Sequence, residues 1–276
     1  MSNNEKDLKN DLERIEQLID NGNYDTALKE LNVILKEDPY IIDALQMKAE
    51  TYFLQNHIQK ALVIYEDLQT IYKSQHSDKI ESLEYFQILK KIAKSHKLLE
   101  NISQSIIYYK ELLQMYNLLR NKKDTDLGSE EKENLLNTLG ELYKQSKNYN
   151  TALNYYQKLL KIHSKHGDNE AFADDTIAIG NIYIMQQQYN KAKKFYNKAL
   201  NYYENSEDQG IQGILYYYLG DINHKQGNYN KALTHLESAL MRFEKVNLEG
   251  NIIDIEKQEY YKDALNLWKK LKKKTQ

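Results

Sequence analysis

The stretch Asn148–Tyr156 reads Asn-Tyr-Asn-Thr-Ala-Leu-Asn-Tyr-Tyr, and related stretches lie at residues 23–31, 188–196 and 228–236. Each copy has a tyrosine, an alanine three residues later and a large apolar residue four residues further on. These spacings place the three side chains on one face of an α-helix. Because the small alanine lies between two large residues, a neighbouring helix can approach closely over it. The copies therefore predict a stack of similar helical units.

The alanine of this pattern marks six positions along the chain. These marker residues are Ala27, Ala61, Ser105, Ala152, Ala192 and Ala232. A second small or compact residue precedes each marker by the same interval, at Ile15, Ala49, Ala93, Gly140, Gly180 and Gly220. Short polar segments rich in Asn, Gln and Gly separate the two positions, and Gly and Asn tolerate the left-handed backbone of tight turns. The pattern predicts six pairs of helices, each pair joined by a short turn.

The run Leu139-Gly140-x-x-Tyr143 and the following Tyr149-x-x-Ala152-x-x-x-Tyr156-x-x-Leu159 resemble the tetratricopeptide repeat. That repeat is a helix-turn-helix unit with a basic period of about 34 residues. Asp38-Pro39 fits the end of a second helix, since proline cannot extend it. The resemblance covers roughly residues 8–245. Several later markers lie 40 residues apart, which is similar to the extended variety of the repeat, with a longer second helix or a longer loop.

The resemblance implies an all-α fold, a right-handed α-solenoid of about six helix-turn-helix units closed by a C-terminal capping helix. We expect a flexible N-terminus at residues 1–7, the repeat array at 8–248, and the capping helix with a lysine-rich tail at 249–276. The six repeats are expected near residues 8–41, 42–75, 86–120, 133–168, 173–206 and 213–247. Polar loops at 74–79 and 121–130 are interpreted as solvated insertions rather than recognition loops.

Composition and motifs narrow the classes of function. The chain has no cysteine, which excludes disulfides, thiolate catalysis and cysteine-ligated metals. Its formal net charge of -2 argues against a nucleic-acid partner. No apolar run reaches the length of a membrane span and no signal-peptide core is present, so we expect a cytoplasmic protein. Without a phosphate-binding glycine loop or a catalytic constellation, we expect no enzyme activity, no cofactor and no metal site. His163 and His166 are interpreted as surface residues, and His96 as a packed ring.

The resemblance implies that the first helices of the repeats line a concave groove. In each first helix, the residue after the small position and those three or four positions away from it form a separate stripe. The residues expected to bind a partner are Gln46, Glu50, Lys90, Lys94, Lys97, Asn137, Glu141, Ile177, Asn181, Ile184, Tyr217 and Asp221. The three lysines are the strongest candidates, because like charges at this spacing are mildly destabilising. Asn181 is expected to hold a peptide backbone, since an amide both donates and accepts.

These features predict a non-enzymatic scaffold or adaptor that binds a peptide or helix of a protein partner in the groove. The expected segment has acidic residues for the lysines beside apolar residues for Ile177, Ile184 and Tyr217. The lysine and asparagine pairs typical of chaperone-binding members are absent from the first two repeats, which argues against that partner class. Two alternatives stay open. One is a peptide-sensing regulator similar to repeat proteins of Gram-positive bacteria, and the other is a self-associating homo-oligomeric subunit of a larger complex.

Overall fold

The computed structural model describes residues 3–75, 81–120, 127–204, 206, 208–248 and 255–275. Every regular element in these ranges is an α-helix, which confirms the predicted all-α repeat fold. The helices are α1 (Asn3–Asp20), α2 (Tyr24–Glu37), α3 (Ile42–Leu54), α4 (Ile58–Gln75), α5 (Leu83–Leu98), α6 (Ile102–Leu119), α7 (Ser129–Gln145), α8 (Tyr149–His166), α9 (Asn169–Met185), α10 (Tyr189–Tyr203), α11 (Gln209–Lys225), α12 (Tyr229–Leu248) and α13 (Ile255–Thr275).

The chain divides into two compact units. Unit 1 is Met1–Lys147 and contains α1 to α7, whereas unit 2 is Asn148–Gln276 and contains α8 to α13. α1 begins at Asn3, within the N-terminal segment for which the sequence predicts flexibility. Of the two predicted polar loops, residues 76–79 and 121–126 lie outside the described residues. No helix among the described residues is long and apolar enough to cross a membrane.

The fifth and sixth helix pairs have longer first helices than the second pair. α9 and α11 each contain 17 residues, whereas α3 contains 13. The second helices vary as well: α2 contains 14 residues, α10 contains 15 and α12 contains 20. The sequence predicts a longer second helix or a longer loop, and in the sixth pair the second helix α12 is the longer one.

The turn inside each helix pair contains one residue with a left-handed backbone. That residue lies five positions before the marker in all six turns, at Gly22, Asn56, Glu100, Lys147, Gln187 and Gly227. The next amide closes the first helix; for example, the N–H of Gln188 donates to the carbonyl of Tyr183 at 2.8 Å. This is the 6→1 hydrogen bond that commonly ends a helix before a left-handed residue. Three of the six left-handed residues are neither Gly nor Asn, so the residue type alone does not determine this turn.

The marker residues lie in the cores of the two units. Ala192 and Ala232 are fully buried, and Ser105 is buried with its hydroxyl donating to the carbonyl of Ala93 at 3.3 Å. Two small residues of the first helices, Gly180 and Gly220, meet the large side chain four positions after the marker, Tyr196 and Leu236 respectively. A Cβ built on Gly180 would lie 2.7 Å from Cε1 of Tyr196, closer than real carbon contacts allow. The predicted close approach of helices at the small positions is therefore present.

Side-chain hydrogen bonds between consecutive helix pairs repeat along the chain. In unit 2 the amide of Gln186 donates to Oδ1 of Asn150 at 3.2 Å. One repeat later the amide of Gln226 donates to Oδ1 of Asn190 at 2.9 Å. In both cases a glutamine at the end of a first helix reaches the start of the preceding second helix. The regular spacing of these bonds helps to set the register between neighbouring pairs.

α13, the predicted capping helix, packs on α11 and α12. The indole N–H of Trp268 donates to Oε1 of Glu237 at 3.1 Å, and the ring of Tyr261 meets the ring of Phe243 edge-on at 6.1 Å. Ala264 is fully buried, while Lys269 is exposed on the outer face. The apolar inner face and polar outer face are those required of a closing helix. The helix is described from Ile255, and residues 249–254 lie outside the described residues.

Candidate protein-binding surface

In unit 1 the first helices of consecutive pairs are linked by ion pairs. The ammonium of Lys91 on α5 lies 2.5 Å from Oε2 of Glu50 on α3. On the other side of α5, the ammonium of Lys90 lies 2.7 Å from Oε2 of Glu131 on α7. These two contacts join α3, α5 and α7. We call their exposed faces the first-helix surface of unit 1, and it contains seven of the predicted binding residues.

The structure divides the three predicted lysines into two kinds. Lys90 is held by Glu131, whose second carboxylate oxygen is buried without a hydrogen-bond partner among the described residues. Lys94 is exposed, with its ammonium 5.2 Å from the ring centroid of Phe53, and Lys97 is exposed as well. Lys90 therefore neutralises a neighbouring carboxylate, while Lys94 and Lys97 offer positive charge to solvent.

Glu50 and Gln46 line a cleft between α3, α4 and α5. Oε2 of Glu50 accepts hydrogen bonds from the hydroxyl of Tyr65 at 2.8 Å and from the ammonium of Lys91 at 2.5 Å. Burial and the Glu50 carboxylate raise the pKa of Tyr65 far above its usual value, so its phenol stays protonated as a donor. The cleft has a volume of about 300 Å³. Its lining residues are Gln46, Met47, Glu50, Tyr65, Gln87, Ile88 and Lys91.

The predicted binding residues on α7 are polar and do not line the α3–α5 cleft. Asn137 is exposed and lies on the same first-helix surface. The carboxylate of Glu141 pairs with the ammonium of Lys144 at 2.6 Å, one helical turn away. Surface pairs of this kind contribute little to stability, and they leave both side chains able to rearrange. α7 therefore adds polar groups rather than an anchoring pocket.

In unit 2 the predicted residues on α9 are partly engaged in the fold. Ile177 and Ile184 are half-buried against the core cluster that contains Tyr196. Oδ1 of Asn181 accepts a hydrogen bond of 2.6 Å from the hydroxyl of Tyr196. The sequence predicts that this amide both donates to and accepts from a peptide, but one acceptor site of its carbonyl oxygen is already used within the protein. The amide N–H groups and one acceptor site remain for a ligand.

The predicted residues on α11 belong to a tyrosine cluster that includes α13. The ring of Tyr218 stacks on Tyr196 at 5.0 Å, and its hydroxyl lies 2.7 Å from that of Tyr260. Tyr217 lies 5.8 Å from Tyr260, and burial, with nearby carboxylates, raises the pKa of Tyr217 to about 12. Asp221 pairs with Lys225 at 2.6 Å. Tyr217 and Asp221 line an open cleft of about 400 Å³ between α11 and α13.

Two histidines, His96 and His163, are buried in the structure. His96 is buried and stacks on Tyr108 at 5.4 Å, which confirms the predicted packed ring. Burial lowers the pKa of His96, and the neighbouring Glu66 carboxylate only partly opposes this. The prediction that His163 is a surface residue is wrong, because it is buried and its Nδ1 lies 2.8 Å from Oδ2 of Asp175. No group of potential metal ligands occurs among the described residues.

Sequence reasoning missed Lys91, Met47 and Ile88 of the cleft. Glu50 follows the small residue Ala49, and Lys91 precedes the next small residue, Ala93, by two positions. Aligning the charges of consecutive first helices at these offsets would have indicated the Glu50–Lys91 pair. The apolar lining residues give no such signal, because buried or half-buried apolar side chains such as Ile88 and Met47 are equally typical of the core.

Comparison with known proteins supports the fold of the chain. Residues 131–205 and 175–245 match the sequence pattern described as the tetratricopeptide repeat. No curated protein matches the chain. Several solved structures are similar in fold. BtubC (BKLC) from P. vanneervenii has a TM-score of 0.55 at 15% identity, covering 84% of this chain and 92% of that one. A tetratricopeptide repeat protein from Parabacteroides merdae ATCC 43184 has a TM-score of 0.54 at 17% identity, covering 93% and 98%.

The apo form of RapI has a TM-score of 0.56 at 18% identity and covers 81% of each chain. At these identities the likeness concerns the fold alone. The fold is one that commonly presents extended surfaces to protein partners. The repeated sequence pattern, the regular helix pairs and these shared folds show that residues 131–245 carry tetratricopeptide repeats and that the chain has the fold of tetratricopeptide-repeat proteins.

Proposed function

We propose that this chain is a non-enzymatic scaffold that binds a segment of another protein on the first-helix surface of unit 1. The observation that supports this most is the exposed pair Lys94 and Lys97 on α5, the helix that also forms a wall of the α3–α5 cleft. Exposed like charges on one helix face cost stability and therefore suggest a partner. A bound acidic segment would relieve the repulsion between the two lysines. Their positive charge would also attract this segment as it approaches.

Unit 2 offers a second contact region under the same proposal. Tyr217 and Asp221 line an open cleft, and Asn181 retains its amide donor. Half-buried aromatic residues such as Tyr217 supply contact area at a small cost in conformational entropy. We place the main anchor in unit 1, because Ile177 and Ile184 are already committed to the core cluster of unit 2.

Site-specific photo-crosslinking tests the proposal. A benzophenone amino acid replaces Asn137 on the first helix α7, and Lys110 on the exposed side of α6 serves as the matched control in the same unit. The expected result is an adduct with another protein at position 137 and none at 110. Adducts at position 110 alone would contradict the proposal. Adducts between two copies of the chain would favour a self-associating subunit instead.

A further inference from the structure

The α3–α5 cleft has the size of a site for one side chain. Its volume of about 300 Å³ lies at the lower end of the range for small-molecule pockets. Met47 and Ile88 supply apolar lining, and Gln46 and Gln87 add amide groups to it. Pockets of this kind on protein-binding surfaces typically receive an anchor residue, most often Trp, Tyr or Arg.

The charges around the cleft select among these anchors. Lys90, Lys91 and Lys94 lie on the same helix, and only the first two are paired with carboxylates. An arginine would bring a further cation to this side of α5, so an aromatic anchor is favoured electrostatically. Both hydrogen bonds to Glu50 from described residues use Oε2, which leaves Oε1 to accept from an indole N–H or a phenol hydroxyl.

The positions of the exposed lysines give the spacing of the partner's acidic residues. Lys94 and Lys97 lie three and six residues beyond Lys91 on α5, which corresponds to about 4.5 and 9 Å along the helix. An extended segment advances about 3.3 Å per residue. An acidic residue two or three positions from the anchor would therefore reach one of these ammonium groups.

We infer that the α3–α5 cleft binds a tryptophan or tyrosine of a partner segment whose acidic residues, two or three positions away, pair with Lys94 and Lys97. This inference rests on the proposed function and specifies its partner. The aromatic ring contacts Met47 and Ile88, and its polar hydrogen is donated to Glu50. The carboxylates add steering and specificity rather than most of the affinity.

Fluorescence anisotropy with the full chain tests the inference. The probe is a labelled twelve-residue peptide with a central Trp and Glu residues two and three positions away on both sides. Matched peptides carry Ala for Trp, Phe for Trp, or Gln for every Glu. We expect the Trp peptide to bind at least tenfold more tightly than the Ala peptide, and the Phe and Gln peptides to lose affinity by a smaller factor. Equal binding of the Trp and Ala peptides would overturn the inference.

Variants of the chain separate the cleft from the charged surface. Gln87→Trp fills the cleft from an exposed position, and Gln114→Trp on α6 is the matched control. The Gln87 variant should lose at least tenfold affinity for the Trp peptide but not for the Ala peptide. An unchanged affinity in that variant would overturn the cleft assignment. If crosslinking at position 137 persists while aromatic dependence is absent, only this inference fails; if crosslinking is absent, the proposed function fails.

Discussion

Gly180 is the position at which one added methyl group should test the packing of the repeats. A Cβ at this position would lie 2.7 Å and 2.9 Å from Cε1 and Cδ1 of Tyr196, whereas carbon atoms pack at about 3.5–4.0 Å. The ring of Tyr196 is fully buried, stacks on Tyr218 and donates to Asn181. It therefore cannot move away without disturbing these contacts.

The expected change in the free energy of unfolding for Gly180→Ala has three contributions. Overpacking costs about 1–3 kcal/mol, and weakening the hydrogen bond to Asn181 costs about 0.5–1.5 kcal/mol. The higher helix propensity of alanine offsets about 1 kcal/mol of this destabilisation. We expect a net loss of about 2 kcal/mol in the free energy of unfolding. Urea unfolding followed by the fluorescence of Trp268, the single tryptophan of the chain, reports on unit 2, which contains both residues.

A double-mutant cycle with Tyr196→Leu refines this test. In the Leu background the ring is gone, so Gly180→Ala should become neutral or stabilising by up to about 1 kcal/mol through helix propensity. Asn197→Ala on the exposed face of α10 is the control, with an expected effect within about 0.5 kcal/mol. The same loss for Gly180→Ala in both backgrounds would refute the proposed contact between Gly180 and the Tyr196 ring.

Three further predictions concern the turns, a buried histidine and an ion pair. Gln187→Gly should stabilise the chain by about 0.5–1 kcal/mol in urea unfolding, because glycine avoids the cost of a left-handed backbone, and Gly227→Gln should destabilise it. Burial lowers the folded-state pKa of His96, so its stabilisation is fully present above about pH 6.5 and is lost as the pH falls through that lowered pKa. His96→Phe should therefore lose less stability than the wild type between about pH 7.5 and 5 by circular dichroism. Lys90→Ser should destabilise unit 1 by about 1 kcal/mol, because it leaves a mostly buried carboxylate unpaired, whereas Lys97→Ser should have almost no effect on the unfolding midpoint.

The repeated features of this fold could be predicted from the sequence because they are local. The Tyr149, Ala152 and Tyr156 spacing defines one helix face, and the same spacing recurs at each marker. The turns also lie at a fixed spacing from the markers, although propensity alone does not predict a left-handed backbone at Glu100 or Lys147. At Glu100 the packing of α5 on α6 outweighs the backbone preference of one residue.

The candidate site was less predictable because its contacts join different repeats. Lys90 and Glu131 are 41 residues apart with a polar loop between them, so no spacing rule connects them. Asn181 is predicted as a groove residue from its helix face, but its carbonyl oxygen accepts a hydrogen bond from the hydroxyl of Tyr196. Periodicity shows which face a residue occupies, whereas hydrogen-bond partners depend on the distance between neighbouring helices.

The central claim is that the first-helix surface of unit 1 attracts an acidic protein segment. Its most direct test is the dependence of the association rate on ionic strength, measured with the purified partner that crosslinking at position 137 identifies. Lys94→Ser/Lys97→Ser is compared with the wild type, and Lys73→Ser/Lys110→Ser removes the same charge from second helices of the same unit. We predict slower association and a flatter salt dependence for the first variant only. Wild-type rates and salt dependence in that variant, or an equal effect in the control, would contradict the claim.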